Sequence, residues 1–289
     1  MKKVLITGAN SYVGTNVEKW LIKDPNNYHV ETLDMQNLSW VNFDFSKFDV
    51  VFHVAGIAHV SKKKSLDELY YKVNRDLAIE TARKAKESGV RQFIFMSSMI
   101  IYGEDNAISD KRHIEIDKYN PLNAYGNSKL EADLAIQKLQ DEEFLVSIVR
   151  TPVIYGQGCK GNFPRLQKIA RKLFIVPKIS NQRSMIFIDN FSEFIRQLIN
   201  KELNGVFYPQ NSKYVSTSMI IIYTRESIGK KTYSLALLNP FVRILTFYFR
   251  VFRKILGNKT YDIEISNLIG CDYRVVNVED SIRKSISFD

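Results

Sequence analysis

Short β-branched runs alternate with longer amphipathic stretches through the first 150 residues of the chain. This alternation is typical of βαβ units, in which crossover helices join parallel strands. We therefore predict an α/β fold built on a doubly wound parallel sheet. The predicted strands span 3–7, 29–33, 50–54, 92–97 and 145–150, and the predicted helices span 13–23, 66–88 and 121–140.

The pattern becomes irregular after Arg150. A loop is predicted over 155–158, a helix over 163–172 and an extended segment over 183–188. We predict one domain over 1–150 and a smaller C-terminal lobe over 151–289, partly interleaved with the first and laid on the carboxyl edge of its sheet. A chain of 289 residues has room for this arrangement but not for two full-sized independent domains.

Composition excludes several classes of protein. The formal charge of +10 is dispersed, and its densest run, Lys62-Lys63-Lys64, is interpreted as a solvated loop, so no nucleic-acid partner is predicted. The two cysteines, Cys159 and Cys271, lack metal or redox spacing and fit a reducing compartment. A short apolar start that breaks at Thr7 does not make a signal peptide, and the prediction is cytoplasmic.

The stretch 241–256 is apolar and aromatic, with interspersed cations at positions 243, 250, 253 and 254. It is too short to span a bilayer. Peripheral contact with an anionic membrane is one hypothesis, and a helix packed in the second lobe is the other.

A glycine-containing turn follows the first predicted strand and precedes a helix: Thr7-Gly8-Ala9-Asn10-Ser11-Tyr12-Val13-Gly14. Such a turn directs backbone N–H groups and the helix dipole at a pyrophosphate. The spacing resembles the Gly-x-x-Gly-x-x-Gly fingerprint of short-chain dehydrogenases/reductases, which implies a Rossmann-like domain. Ser11 replaces the middle glycine, and its hydroxyl is expected to donate to a phosphate oxygen.

Asp34, at the end of the second predicted strand, is placed to accept hydrogen bonds from an adenosine ribose, which favours NAD while leaving NADP open. The resemblance implies further contacts from an adenine-binding pair, a small-residue strand end, a helical asparagine and a threonine beside the nicotinamide. The implied dinucleotide-binding residues are Gly8, Asn10, Ser11, Tyr12, Val13, Gly14, Asp34, Asp44, Phe45, Ala55, Gly56, Asn74, Tyr125, Lys129 and Thr151.

The motif Tyr125-Gly126-Asn127-Ser128-Lys129 places a phenol and an ammonium on one helix face. Ser98 lies about where the fourth strand ends, and ligands bind at the carboxyl ends of strands in open α/β sheets. The three side chains are therefore expected to converge. The resemblance makes Tyr125 the acid/base, with a pKa lowered by Lys129 and the nicotinamide, and makes Ser98 a partner of the reacting oxygen.

The second half resembles the sugar-nucleotide branch of the extended short-chain dehydrogenases, including bacterial capsule and O-antigen enzymes. The segments that carry this likeness are 150–156, 160–163 and 181–190, and a closing segment lies at 268–270 and 278–282. The resemblance implies a sugar-nucleotide-binding lobe in which Asn162 and Arg183 contact the diphosphate of a UDP-sugar substrate.

The resemblance implies an oxidoreductase acting at C4 of the sugar in surface polysaccharide biosynthesis, as a 4-keto reductase (slightly favoured) or a 4-epimerase. A 4,6-dehydratase is disfavoured, because Met99-Ile100 replaces the acidic pair of the dehydratases. The rival hypothesis is a non-catalytic dinucleotide sensor or scaffold. The four histidines have no metal-binding spacing, so no metal is predicted. A homodimer through the helices at Leu66 and Pro121 is a family expectation.

Overall fold

The computed structural model describes residues 1–58, 66–108, 110–268 and 270–286. The Lys62-Lys63-Lys64 run and Ile269 of the closing segment lie outside the described residues, so their interpretation stays a prediction. The chain divides into two compact units, each made of three stretches. Unit 1 comprises Met1–Gly103, Tyr119–Thr151 and Phe191–Pro209, and unit 2 comprises Glu104–Lys118, Pro152–Asn190 and Gln210–Asp289.

Strands and α-helices are numbered in chain order. The strands are β1 (Lys2–Thr7), β2 (Tyr28–Leu33), β3 (Val50–His53), β4 (Gln92–Ser98), β5 (Leu145–Thr151), β6 (Val153–Tyr155), β7 (Ile175–Pro177), β8 (Met185–Phe187), β9 (Gly205–Phe207) and β10 (Tyr233–Leu235). The helices are α1 (Tyr12–Leu21), α2 (Asp67–Tyr70), α3 (Leu77–Glu87), α4 (Ala124–Gln137), α5 (Asn162–Ala170), α6 (Ile188–Asn200), α7 (Thr217–Glu226), α8 (Asn239–Tyr248), α9 (Arg250–Leu256) and α10 (Val278–Lys284).

A six-stranded sheet forms the centre of unit 1, in the order β2-β1-β3-β4-β5-β9, and every neighbouring pair is parallel. The order reverses between β1 and β3, so this pair is the topological switch point at which open α/β sheets bind ligands. The predicted Rossmann-like, doubly wound parallel sheet is confirmed.

On one face of the sheet, apolar residues of the strands pack against those of the helices in a large core. Its larger members are Leu5, Trp40, Phe45, Phe48, Val51, Phe93, Phe95, Ile136, Phe144, Val146 and Ile148. The predicted helix at 66–88 is α2 and α3 joined by a π-helical stretch, Tyr71–Asp76. It ends at Gly89, which adopts φ +77° as a C-terminal glycine does.

Two sequence expectations need correction. The segment predicted as extended over 183–188 includes β8, but Ile188 already begins α6. The helix forms because Phe191, Ile195 and Leu198 recur at helical spacing and are all buried. The loop expected from Tyr155 begins one residue later, because Tyr155 ends β6, which pairs in parallel with β8.

Unit 2 contains two small parallel pairs, β6 with β8 and β7 with β10, and helices α5 and α7–α10. Within the described residues, every helix is too short or too polar to cross a bilayer. The assignment of residues 151–289 as a sugar-nucleotide-binding lobe stays a prediction.

Candidate active site

The turn between β1 and α1 is held against the segment after β3. Gly8 adopts φ +106°, and a Cβ there would lie 2.8 Å from the backbone nitrogen of Ala55. Only glycine meets both conditions without strain. Asn10 follows with φ +63°, a conformation that asparagine tolerates better than most residues. The turn is thus held tightly against the end of β3, at the carboxyl edge of the sheet.

Ser11 is the N-cap of α1. Its Oγ accepts a hydrogen bond from the backbone nitrogen of Gly14 at 3.1 Å, and a Cβ at Gly14 would lie 2.6 Å from that Oγ. The hydroxyl oxygen therefore satisfies one of the unpaired N–H groups of the helix. Since a serine hydroxyl also carries one hydrogen, this bond leaves the expected donation to a phosphate oxygen chemically open.

Two acidic residues lie beyond the strand ends. Asp34 follows β2, is exposed and accepts from the backbone nitrogen of Gln36 at 2.9 Å. Asp44 is also exposed and accepts from Ser46, while the side chain of Phe45 is fully buried in the core. Any contact of the Asp44-Phe45 pair with adenine therefore falls to Asp44 and the backbone.

Asn74 fixes the segment after β3. Its side chain is fully buried and makes two bonds with the backbone of Ile57, accepting from the nitrogen at 2.9 Å and donating to the oxygen at 3.0 Å. A Cβ at Gly56 would lie 3.0 Å from Asn74 Oδ1 and 3.3 Å from Lys129 Nζ. Asn74 thus holds the segment after β3 against its own helix, in a position beside Lys129.

Ser98, Tyr125 and Lys129 converge at the carboxyl edge of the sheet. Ser98 ends β4, and its side chain hydrogen-bonds the Tyr125 hydroxyl. Asn123 accepts from the backbone nitrogen of Gly126 at 2.9 Å and so starts α4 at Ala124, three residues later than predicted. Tyr125 and Lys129 follow on consecutive turns of that helix.

The expected fall in the pKa of Tyr125 is not present in the protein chain itself. Burial raises the pKa of the Tyr125 phenol, the hydrogen bond from Ser98 opposes this, and nearby Tyr70 adds to the rise. The ring centroids of Tyr70 and Tyr125 are 5.8 Å apart. Because a buried phenolate is poorly solvated, its formation needs positive charge supplied at the site.

Lys129 is nearly fully buried beneath this edge. Its Nζ donates to the carbonyl oxygen of Met96 at 3.0 Å and lies 5.0 Å from the ring centroid of Phe95. Burial lowers the pKa of Lys129 to about 8, and the carboxylate of Asp133 opposes that effect. Lys129 therefore changes protonation state close to the physiological range.

Asp133 and Arg150 form a buried ion pair that the sequence did not reveal. Arg150 donates to the carboxylate of Asp133 from Nε at 3.0 Å and from Nη2 at 2.8 Å, and both side chains are at most 2% exposed. Ser97 donates to the same carboxylate at 2.5 Å. The only sequence signal was the position of Asp133, four residues after Lys129 on the same helix face.

His53 is a second buried polar residue that sequence reasoning missed. It ends β3, its Nδ1 is 2.8 Å from Thr7 Oγ1, and its ring stacks against Phe93 and Phe95. Burial lowers the pKa of His53 to about 3, and the charge on Lys129 acts in the same direction. The imidazole is therefore neutral near physiological pH.

This geometry agrees with a comparison to known families. A model of the NAD dependent epimerase/dehydratase family matches residues 4–207, well over half of the chain. The chain belongs to this family.

Curated relatives of this epimerase/dehydratase span most of the chain. It is 30% identical to the UDP-glucose 4-epimerase of Vibrio cholerae over 81% of this chain and 78% of that protein. It is 26% identical to the N-acetyl-alpha-D-glucosaminyl-diphospho-ditrans,octacis-undecaprenol 4-epimerase of Escherichia coli O157:H7, over 89% and 81% respectively.

Solved structures of other proteins share the fold of this chain. The Bacillus cereus UDP-glucuronic acid 4-epimerase, in complex with UDP-glucuronic acid and NAD, superposes with a TM-score of 0.72 at 20% identity, covering 98% of this chain and 97% of that one. At this identity the likeness shows the fold.

The family is NAD-dependent, so NAD is the cofactor of this chain. Two observations show that the residues fit it. Gly8, whose φ of +106° and contact with Ala55 leave no room for a side chain, makes the tight strand-to-helix turn that a dinucleotide site uses, and Lys129 lies beside Gly56 at the switch point. The individual binding assignments, including those of Tyr12 and Val13 in α1, stay predictions. Thr151 donates to the carbonyl oxygen of Ser97 at 3.1 Å.

The two predicted substrate residues belong to unit 2. Arg183 Nη1 donates to Asp105 Oδ2 at 3.0 Å and to the carbonyl oxygen of Gly257 at 3.3 Å. Asn162 is exposed and opens α5, where Gly161 occupies the N-cap position. Their contact with a diphosphate stays a prediction. Among the described residues no three His, Cys, Asp or Glu side chains are grouped to hold a metal.

Proposed function

We propose that the chain is a 4-epimerase that inverts C4 of a hexose carried on UDP, in the synthesis of a surface polysaccharide. The observation that carries the proposal is the hydrogen bond between Ser98 and Tyr125, with Lys129 one helical turn away. The two curated relatives described above are named as 4-epimerases. The 4-keto reductase, which the sequence slightly favoured, is the alternative.

Side chains of the protein transfer the proton of the C4 hydroxyl and hydrogen-bond its oxygen. Tyr125 takes the hydroxyl proton as C4 is oxidised and returns it as C4 is reduced, while Ser98 hydrogen-bonds the same oxygen. The nicotinamide of bound NAD would supply a reversible hydride acceptor for C4, and inversion would require the hydride to return to the opposite face of the sugar. The ammonium of Lys129 offsets the cost of forming a phenolate in this buried position.

A second candidate substrate is a hexosamine carried on a polyprenyl diphosphate. The Escherichia coli relative is named for that substrate and matches a larger share of this chain than the Vibrio cholerae relative does. Both candidates present a sugar on a diphosphate, so the chemistry proposed for Tyr125 is the same for either.

The experiment separates these activities. Purified full-length protein is incubated with UDP-glucose, with UDP-N-acetylglucosamine, and with polyprenyl-diphosphate N-acetylglucosamine in detergent, and the products are separated by chromatography. A fourth reaction supplies a UDP-4-keto-6-deoxy sugar with NADH or NADPH. Epimer formation without net cofactor oxidation supports the proposal, whereas net oxidation identifies the reductase.

Tyr125→Phe tests the catalytic assignment. We expect loss of at least about a hundredfold in kcat, because general acid–base catalysis contributes that much or more. Tyr233→Phe is the matched control, since Tyr233 is 60% exposed on β10. If the Tyr125→Phe protein binds NAD and keeps full activity, the assignment is wrong.

If no substrate gives an epimer or cofactor oxidation, the result would favour the rival hypothesis of a non-catalytic dinucleotide sensor or scaffold. A dehydratase is disfavoured, because Met99 and Ile100 follow Ser98 where the dehydratases carry an acidic pair. The homodimer and the cytoplasmic location stay predictions.

A further inference from the structure

Helix α8 turns its apolar side to solvent. Val242 and Thr246 are buried and anchor one face. On the opposite face Phe241 is 64% exposed, Ile244 55%, Phe247 65% and Tyr248 71%. We call these four residues the α8 surface. The apolar face of a surface helix normally packs on the protein core. An exposed apolar face such as the α8 surface therefore indicates a binding site for a partner.

Exposed apolar side chains continue beside α8 within unit 2. Lys178 joins the neighbouring elements: its nitrogen donates to the carbonyl oxygen of Leu235 at 3.2 Å, and its oxygen accepts from Asn239 Nδ2 at 2.8 Å. The pair β7 and β10 and the residues next to it therefore lie beside the start of the helix. The large exposed side chains of this neighbourhood are Phe174, Ile175, Tyr233, Leu235 and Leu237.

The chain segment that contains α8 carries charge of one sign. No Asp or Glu occurs between Glu226 and Asp262, whereas the cations in that interval are Lys230, Lys231, Arg243, Arg250, Arg253, Lys254 and Lys259. Of these, Lys259 is buried and lies 3.9 Å from Asp105. Between α8 and the neighbouring loops is a cavity of about 270 Å³, lined in part by Lys111, Lys178 and Arg243. Among the residues that the structure describes, the neighbouring Asp110 pairs with Arg112 and not with any of these three.

We propose that the α8 surface and this basic cavity form a docking surface for an anionic lipid bilayer. The helix would lie in the plane of the membrane, with its aromatic side chains at the acyl boundary and lipid phosphates near Lys111, Lys178 and Arg243. Charge decides between the occupants. A symmetric contact with a second copy would bring two carboxylate-free basic segments together, whereas phosphate headgroups neutralise them. The proposal is independent of which diphosphate sugar the enzyme uses.

Flotation of the full-length protein with lipid vesicles tests the proposal. One set of vesicles is phosphatidylcholine alone, and the other contains about one third phosphatidylglycerol. We expect the protein to float with the anionic vesicles and to be released by salt, because Lys111, Lys178 and Arg243 are exposed to solvent.

Two variants separate the apolar and electrostatic contributions. Ile244→Ser with Phe247→Ser should weaken binding by about tenfold or more, since both side chains would be removed from the acyl boundary. Lys111→Gln, Lys178→Gln and Arg243→Gln together should abolish the preference for anionic vesicles. All five positions are exposed, and thermal melting followed by circular dichroism checks the folding of each variant.

Matched controls lie away from α8 in sequence. Ile22→Ser with Val275→Ser removes two apolar side chains that are each 51% exposed, and Lys19→Gln, Lys138→Gln and Lys168→Gln remove three exposed charges. Both controls should bind vesicles like the unmodified protein. The proposal is overturned if the unmodified protein fails to float, or if the controls lose binding to the same extent. A third result would also overturn it: the unmodified protein does not bind vesicles, and sedimentation shows that it forms a dimer which the Ile244→Ser, Phe247→Ser protein no longer forms.

Discussion

At the scale of single residues, burial sets the protonation of the groups beneath the active-site edge. His53 has no exposed surface, and burial lowers its pKa to about 3. Lys129, which also contacts the ring of Phe95, has its pKa lowered to about 8 by the same cause. In both groups burial shifts the equilibrium toward the neutral form, because a charged group loses its solvation in the interior. His53 is neutral at physiological pH, whereas Lys129 is still mainly an ammonium.

His53 predicts a specific sensitivity to acid. Its folded pKa lies below the ordinary value of 6.5, so the unfolded chain binds more protons between pH 6.5 and about 3. The free energy of unfolding should therefore fall as pH falls through this window. His53→Asn should reduce that slope by close to one proton, measured by urea unfolding at several pH values. His29→Asn, at an exposed position on β2, is the control, and equal slopes in both variants would contradict the prediction.

At the scale of elements, the site depends on how closely the β1–α1 turn approaches the end of β3. The backbone nitrogen of Ala55 donates to the carbonyl oxygen of Thr7 at 2.9 Å, and Gly8 lies directly over it. The π-helical stretch between α2 and α3 carries Asn74 to the same place. The β1–α1 turn, the segment after β3 and the π-helical stretch thus meet at one place, which we call the site floor.

Gly8→Ala should damage this floor more than backbone strain alone predicts. Gly89 provides the matched control, because it also has positive φ but has nothing within 4 Å of an added Cβ. Each substitution costs roughly 1–2 kcal/mol for the left-handed backbone. Gly8→Ala should destabilise further through its clash with Ala55 and weaken NAD binding by about tenfold or more. Chemical unfolding and calorimetric NAD titration of both variants measure the difference, and equal effects would rule out the close-approach role.

At the scale of the whole molecule, a polar network joins the three stretches that make up unit 1. Asp133 and Arg150 both belong to the middle stretch, which begins at Tyr119. Arg150 also donates to the hydroxyl of Tyr102 at 2.8 Å and of Tyr208 at 3.2 Å, which belong to the first and third stretches. A buried guanidinium surrounded by acceptors thus fixes how distant parts of the chain come together.

Asp133→Asn should destabilise the protein by about 3–5 kcal/mol, because it leaves the buried Arg150 without its counter-charge. Glu131→Gln is the control on the same helix: its ion pair with Arg75 is exposed and should contribute about 1 kcal/mol or less. The free energy of unfolding in urea measures both. A second readout is the pKa of Lys129, which should fall below about 8 when the carboxylate that raises it is removed. An unchanged pKa would show that Asp133 acts only on stability.

Local patterns in the sequence predicted the parallel sheet and the convergence of the candidate catalytic residues. Gly8, Ser98, Tyr125 and Lys129 could be predicted because each is fixed by spacing within one strand, turn or helix, and because carboxyl ends of parallel strands share an edge. The replacement of glycine by Ser11 was visible too, but its use as a helix cap depends on the angle at which α1 leaves the turn.

Tertiary structure alone decided the partners of the buried polar groups. Arg150 could not be matched to Asp133, nor His53 to Thr7, because those pairs arise from packing between different elements. The raised pKa of Tyr125 was hidden for the same reason, since burial and not the nearby lysine dominates it. Spacing along a chain specifies which side chains share a face, whereas their solvation and neighbours are set only when the faces close on one another.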